Sequence, residues 1–448
     1  MSNKNKQWGA IIIMIALFAM IAFVTNLCSP MAVIVKNQFG ASNFQAQIGN
    51  YGNFIAYLLM GIPSGMLIKK YGYKATALLA LIVGIIGVFV QWMSGWDSMQ
   101  DYAFTIYLIG AFIAGFCMCM LNTVVNPMLN ILGGGGNKGN QMIQIGGVFN
   151  SAAAVAVYIL MGALIGDAAK AHVADATPAL FIAGGVFIVA FIVILFTKIQ
   201  EPEQPQANKT KAVKKDKYSA FSFRHFNLGI LAIFLYMGLE VGTPTYILQY
   251  LTSEPTAATP GLGMDASIVG QLVAVYWLLM LVGRFVGGAI GAKVSSRAMI
   301  TVVATAALAL TAFGMFAPST WTVNVPGIDW ANVSMLWAEV PVGIFAFILI
   351  GLCTSVMWGG IFNMAVEGLG KYTSIASGAF MTMVFGCAVM VALQGKIADL
   401  SGDYLTSYWV VLGCAAYILF YALIGSKNVN TDIPTSEQEE ATQILDAL

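Results

Sequence analysis

The chain has 448 residues, 59% of them hydrophobic and 9% charged, with a mean hydropathy of +0.80. Soluble proteins are roughly 25% charged, so a globule of this composition could not cover its surface; that excludes a cytosolic enzyme, a secreted disulfide domain, a disordered chain and a nucleic-acid binder. A net charge of +1 attracts no polyanion, and what remains is an all-α polytopic membrane protein, its length suiting twelve transmembrane helices of about 20 apolar residues each.

In chain order, apolar runs bounded by charge or by Gly, Pro and Asn predict spans over 9–35, 45–68, 75–95, 102–131, 141–166, 178–197, 227–251, 267–292, 298–317, 338–366, 373–395 and 405–426. The first run follows Lys4 and Lys6 as a signal peptide would. No small-residue cleavage site follows it, and Thr25-Asn26-Leu27-Cys28 is a poor lipoprotein box, so it reads as a retained span. The polar, Pro-containing, basic stretch 199–226 separates six spans from six. The expected organisation is an N-terminal six-helix bundle (1–198), a linker (199–226), a C-terminal six-helix bundle (227–426) and an acidic tail (427–448). The six cysteines all lie in apolar runs without a CxxC pair and read as small buried side chains. His172 and His225 fall in loops. No metal site, nucleophile motif or cofactor cradle is visible. The Gly-rich stretch 131–140 lacks the GK[ST] ending of a phosphate loop and reads as a flexible inner loop.

Orientation follows from lysine and arginine. With the N-terminus in the cytoplasm, all 21 of these residues except Lys36, Lys170 and Lys396 fall on the inner side. Outer loops hold acids instead, among them Asp97, Asp175, Glu254, Asp329 and Asp403. Both ends then lie inside, in keeping with an even number of spans. The halves also echo each other: LLMGIPSG (58–65) and LLMLVGRFVGG (278–288) each lead into a short basic loop. Paired six-span halves around a midplane site are a common plan of secondary transporters.

At GMLIKKYGYK (65–74) the sequence resembles the major facilitator superfamily, in the loop between spans two and three, although Lys69 stands where that family usually carries an acid. The stretches 42–75, LNTVVNPMLNILG (121–133) and GGVFNSAAA (146–154) resemble its L-fucose:proton symporter branch, which also holds glucose/galactose carriers. GRFVGG (283–288) and IFNMAVEGLG (361–370) extend the likeness into the second half. The resemblance implies two bundles rocking about a central sugar site lined by spans 1, 2, 4, 5, 7, 8, 10 and 11. It also implies acids in spans one and four that couple transport to protons. Those places fall at Ser29 and Asn122, so coupling by those two carboxylates does not carry over.

Polar side chains within hydrocarbon must be paired or face water, which makes them functional candidates. The substrate-binding candidates are Asn26, Asn53, Asn122, Asn126, Gln144 and Asn150 in the first half, and Glu240, Tyr246, Gln271, Trp277, Trp358 and Asn363 in the second. Thr243, Tyr276 and Gln394 lie in the same spans. An amide both donates and accepts, as a sugar hydroxyl does, and aromatic faces suit the C–H face of a pyranose. Each candidate has a plainer alternative. Asn126 precedes Pro127 and could satisfy the backbone groups of a kink; Asn150 could pack helices beside SAAA; the tryptophans could fill core or face lipid. Lys69, Lys70, Lys74 and Arg284 are gate candidates. Arg284 lies ~13 Å from the inner end of its span.

Glu240 is the single carboxylate well inside a span, ~21 Å along a ~30 Å core. It reads as a coupling group, as a substrate ligand, or as a structural partner of Arg284. The expectation is a monomeric bacterial inner-membrane carrier that takes up a monosaccharide, with a proton or sodium as coupling ion and the bilayer as its other partner. The alternatives are a facilitator without coupling, an exporter of amphiphilic drugs, and a transporter-like receptor. The charge asymmetry makes the first prediction. A cysteine placed at Lys211 resists impermeant labelling in intact cells and one placed at Asp175 is labelled; the reverse pattern would invert the orientation.

Overall fold

A computed structural model describes residues 8–25, 43–165, 177–197, 218–253, 255–256, 259–264, 266–329 and 334–436. The chain is helical nearly throughout. The helices are α1 (Trp8–Thr25), α2 (Asn43–Met93), α3 (Ala103–Leu132), α4 (Gly136–Ile165), α5 (Thr177–Phe196), α6 (Arg224–Thr252), α7 (Ala266–Ile290) and α8 (Ser296–Phe316). After a hairpin, β1 (Thr322–Asp329) and β2 (Ser334–Pro341), come α9 (Val342–Thr354), α10 (Met357–Val366), α11 (Thr373–Thr382), α12 (Gly386–Ser401) and α13 (Tyr408–Phe420). Nine helices among the described residues are long and apolar enough to cross a membrane, and Leu180–Phe196 is a shorter apolar one. Hydrocarbon offers backbone groups no hydrogen-bond partner, so helices are the form these apolar runs take.

Helix breaks locate the spans. α2 carries spans two and three, divided at Gly72, whose φ of 87° and ψ of 172° are outside the helical region. A side chain would resist that φ; glycine adopts it freely. Span ten is α9 followed by α10, interrupted at Ser355 and Val356. Span eleven is α11 and α12 joined by a 3-10 turn at Met383–Phe385. Three expectations fail locally. His225, placed in a loop by the sequence, is buried in the first turn of α6, its Nε2 3.0 Å from the Glu367 carbonyl. The glycine-rich stretch is helical from Gly136 onward; only Gly133, Gly134 and Gly135 form the turn before it. Span ten begins at Val342, because the residues before it form an antiparallel hairpin with Val323 opposite Val340 and Pro326 opposite Trp337. Glu339, within the expected span 338–366, is exposed on β2. The hairpin lies on the start of α7, where Gly327 would place a Cβ 2.6 Å from Ile268. Its base is closed by the Val342 N–H donating to the Trp321 carbonyl at 2.8 Å.

The described residues form two compact units. The first comprises those of Met1–Phe226, Val366–Met383 and Asn428–Leu448; the second, Asn227–Ala365 and Val384–Lys427. In the first, α11 packs on α2 and α3. That contact is backbone on backbone: a Cβ at Gly61 would meet the Thr382 side chain and, at 2.7 Å, the Gly378 carbonyl; one at Gly65 would lie 2.6 Å from the Ser374 carbonyl. A Cβ at Gly378 would run into the Gly61 carbonyl and lie 2.9 Å from the Gly65 N. Small residues that let helices approach this closely replace the hydrophobic drive that lipid does not supply. In the second unit, α9 packs against α7 and α8, and α13 against α8.

Gly61→Ala is therefore expected to destabilise the purified protein by about 1–3 kcal/mol through overpacking. Gly413→Ala, where nothing lies within 4 Å of the added carbon, is expected to be neutral or slightly stabilising. Thermal unfolding of both variants in detergent checks the contrast.

Candidate functional site

The first unit gathers its amides on α3 and α4. Asn122 is buried and donates through Nδ2 to the Tyr57 hydroxyl at 2.7 Å. Asn126, one turn later and fully buried, donates to the Asn122 carbonyl at 2.9 Å. Pro127 has no N–H and so leaves the Thr123 carbonyl, four residues earlier, without its helical donor. The Ser377 hydroxyl of α11 supplies one at 3.1 Å. Gln144 is buried, its Nε2 3.5 Å from the Asn140 Oδ1. Asn150 donates to the Phe18 carbonyl at 2.8 Å and so ties α4 to α1. Asn26 and Ser29 lie outside the described residues, as does the side chain of Asn53.

The second unit centres on an ion pair. Glu240 of α6 and Arg284 of α7 approach through Oε1 and Nη2 at 3.7 Å, their side chains 11% and 12% exposed. The sequence left Arg284 open between gate and partner of Glu240; the structure seats it beside the carboxylate. The Tyr236 hydroxyl hydrogen-bonds to the same carboxylate and lies 3.4 Å from the Thr354 carbonyl. Tyr276 donates to the backbone carbonyl of Glu240 at 2.9 Å. Trp358, just past the break in span ten, sets its ring 6.1 Å from that of Tyr236.

Other candidates fall elsewhere. Tyr246 donates to the Val391 carbonyl at 2.9 Å, joining α6 to α12. Asn363 donates to Ser296 Oγ at 2.8 Å, holding α10 to the start of α8. Gln271 and Trp277 lie on α7, the latter 39% exposed and edge-on to Tyr276. Gln394 is buried beside Ser407 at 3.3 Å, with its Oε1 unpartnered. Lys69 and Lys70 are exposed at the end of the first limb of α2. Lys74 instead donates to the carbonyls of Leu195 and Thr197, at 2.9 and 2.8 Å. It caps the C-terminal end of α5, where a cation is favoured.

The arrangement offers amides, hydroxyls and one paired carboxylate. That suits hydrogen bonding to a neutral polar solute and a change of charge at a single place. No group of three or more His, Cys, Asp or Glu among the described residues could hold a metal. An apolar groove between α1 and α5, lined by Leu17, Met20, Val189 and Val193 among others, has no side chain that would hold a hydroxyl. Sequence reasoning singled out Glu240 and missed the roles of Tyr276, Thr354 and Ser377. A proline four residues after Glu240 was the available signal, since it marks a carbonyl that needs an outside donor.

A buried charge left alone costs far more than the pair contributes. Arg284→Ala is expected to destabilise by about 3–5 kcal/mol, and adding Glu240→Gln to it to restore much of the loss. Thermal unfolding of the single and double variants measures this; equal stability of the two would remove the pair from the account.

Residues 13–392 match the family model described as Major Facilitator Superfamily. The chain is 30% identical to a glucose/galactose transporter of Brucella abortus biovar 1 (strain 9-941), over 95% of this chain and 97% of that one. It is 23% identical to the L-fucose-proton symporter of Escherichia coli (strain K12), over 92% of each. A crystal structure of the transporter FucP in its outward conformation superposes with a TM-score of 0.77 at 21% identity, covering 93% of this chain and 99% of that one. With its twelve helical spans and this match across most of its length, the chain belongs to the Major Facilitator Superfamily of membrane transporters.

Proposed function

We propose that the protein takes up a monosaccharide by ion-coupled symport, with Glu240 as the coupling group. The two six-helix bundles, 1–198 and 227–426, rock about a central site that opens to each side in turn. Both ends lie in the cytoplasm of a bacterial cell and the chain works as a monomer in the inner membrane. Relatives that carry glucose, galactose and L-fucose support a hexose as the substrate. The amides and aromatics of the candidate set are its hydrogen-bonding and stacking partners.

The observation that carries the coupling reading is the Glu240–Arg284 pair. At 3.7 Å between Oε1 and Nη2 the approach is longer than the roughly 2.7–2.9 Å of a strong charge-assisted hydrogen bond. Buried ion pairs add little to stability over an apolar replacement, and a loosely held carboxylate at that cost is suited to exchange its partner for a proton or a cation. The facilitator reading is kept alive by Ser29 and Asn122, which are neutral where the resembling symporters carry acids.

The deciding experiment is paired uptake and counterflow of labelled D-glucose, D-galactose and L-fucose in proteoliposomes under imposed proton or sodium gradients. Wild type is expected to accumulate at least one of these sugars. Glu240→Gln is expected to lose accumulation and keep much of its exchange, since exchange needs no net ion release. Undiminished accumulation by the variant would remove Glu240 from coupling. Loss of exchange together with sugar binding would make it a sugar ligand, and a wild type that never accumulates would be a facilitator.

A further inference from the structure

The carboxylate of Glu240 sits at a gap in its own helix. Pro244 has no N–H, so the carbonyl of Glu240, four residues earlier, has no donor within α6. Within a span such a vacancy needs a partner from a neighbouring helix, a side chain or an ordered water. The phenol of Tyr276, fully buried on α7, fills it at 2.9 Å.

The same hydroxyl reaches a second interruption. Its oxygen lies 3.3 Å from Thr354 Oγ1. Thr354 is the last residue of α9, directly before the break in span ten. Because the phenol's proton is on the Glu240 carbonyl, it is the Thr354 hydroxyl that donates to the phenolic oxygen, the Gly351 carbonyl at 3.1 Å being its alternative acceptor. The fit is tight, since a Cβ at Gly351 would collide with the carbonyl oxygen of Tyr276. One turn away, Gly283 would drive a Cβ into Ser355. A single phenol thus joins the opened ladder of α6 to the broken middle of span ten, at the residue that bears the buried carboxylate.

A complete helical ladder fixes its backbone against small forces. At Glu240 the ladder is open, and the backbone is held from outside by Tyr276. Any change in the pull between the Glu240 carboxylate and Arg284 acts on this locally released backbone. The opened carbonyl has a hydrogen-bonded route out of α6 through Tyr276 to Thr354, beside the one that the Tyr236 hydroxyl offers toward the Thr354 carbonyl at 3.4 Å. We propose that Tyr276 is a positioning residue that transmits the charge or ion state of Glu240 to the break in span ten. The proposal rests on the reading of Glu240 as the coupling group.

The test uses Tyr276→Phe, Pro244→Ala, the double variant and Glu240→Gln in proteoliposomes, with whichever of D-glucose, D-galactose and L-fucose wild type takes up fastest. Tyr276→Phe is expected to lower the steady-state accumulation ratio by about five-fold or more, the low end of the effect of one unsatisfied buried group, with counterflow little changed. Pro244→Ala returns an N–H to the Glu240 carbonyl and keeps the phenol, so accumulation is expected to persist. In the double variant the carbonyl is satisfied without the phenol: thermal stability returns and accumulation does not. The double variant also serves if Tyr276→Phe alone does not fold. Recovery of accumulation together with stability would mean that the phenol only plugs a gap, and the proposal falls. It falls equally if Tyr276→Phe accumulates as wild type does, or if Pro244→Ala alone does not accumulate. Should Glu240→Gln accumulate normally, the coupling reading fails and takes the proposal with it; should Glu240→Gln lose accumulation while Tyr276→Phe keeps it, the proposal fails alone.

Discussion

Hydrocarbon gives a backbone carbonyl nothing to bond to, and this constraint shapes the protein more than any single contact. A proline inside a span opens one carbonyl, and at two places here a side chain of another helix closes it. Pro127 opens Thr123, closed by Ser377; Pro244 opens Glu240, closed by Tyr276. The closing bonds join helices distant in sequence, 254 residues apart in the first case. They also sit where the polar side chains gather, next to Asn122 and Asn126 in one unit and at the Glu240–Arg284 pair in the other. Opened points in the helical ladders and candidate chemistry therefore coincide, for a reason of solvation.

The same solvent accounts for the glycines. With lipid on the far side as apolar as a leucine, helices gain by close approach of their backbones. Gly61, Gly65 and Gly378 allow it between α2 and α11, and Gly351 and Gly283 between α9 and α7. These contacts are stiff, because no side chain is present to adjust. The interruptions at Gly72, at Ser355–Val356 and at Met383–Phe385 are the complementary soft points.

The spans were legible because their signal is length and apolarity, which survive without knowledge of packing. The hairpin before α9 was not, since its alternation in TVNVPGID and SMLWAEVP is hidden against apolar flanks. The interruption of span ten lies where α7 comes close, Tyr276 against Gly351 and Gly283 against Ser355, which no local pattern records. In the candidate site, Glu240 stood out as an isolated carboxylate. Arg284 was left open between partner and gate, because depth counted along two separate helices does not say which faces meet. For Lys74, a basic residue read as a gate candidate, nothing in the sequence signalled its bonds to the end of a neighbouring helix.

The central claim is that a charge change at Glu240 accompanies sugar movement. Its most direct measurement is the charge displaced across a membrane-adsorbed proteoliposome layer when sugar is added without any imposed gradient. The account predicts an inward-positive displacement in wild type that scales with sugar concentration and vanishes in Glu240→Gln. Sugar entering those liposomes with no displaced charge would contradict it.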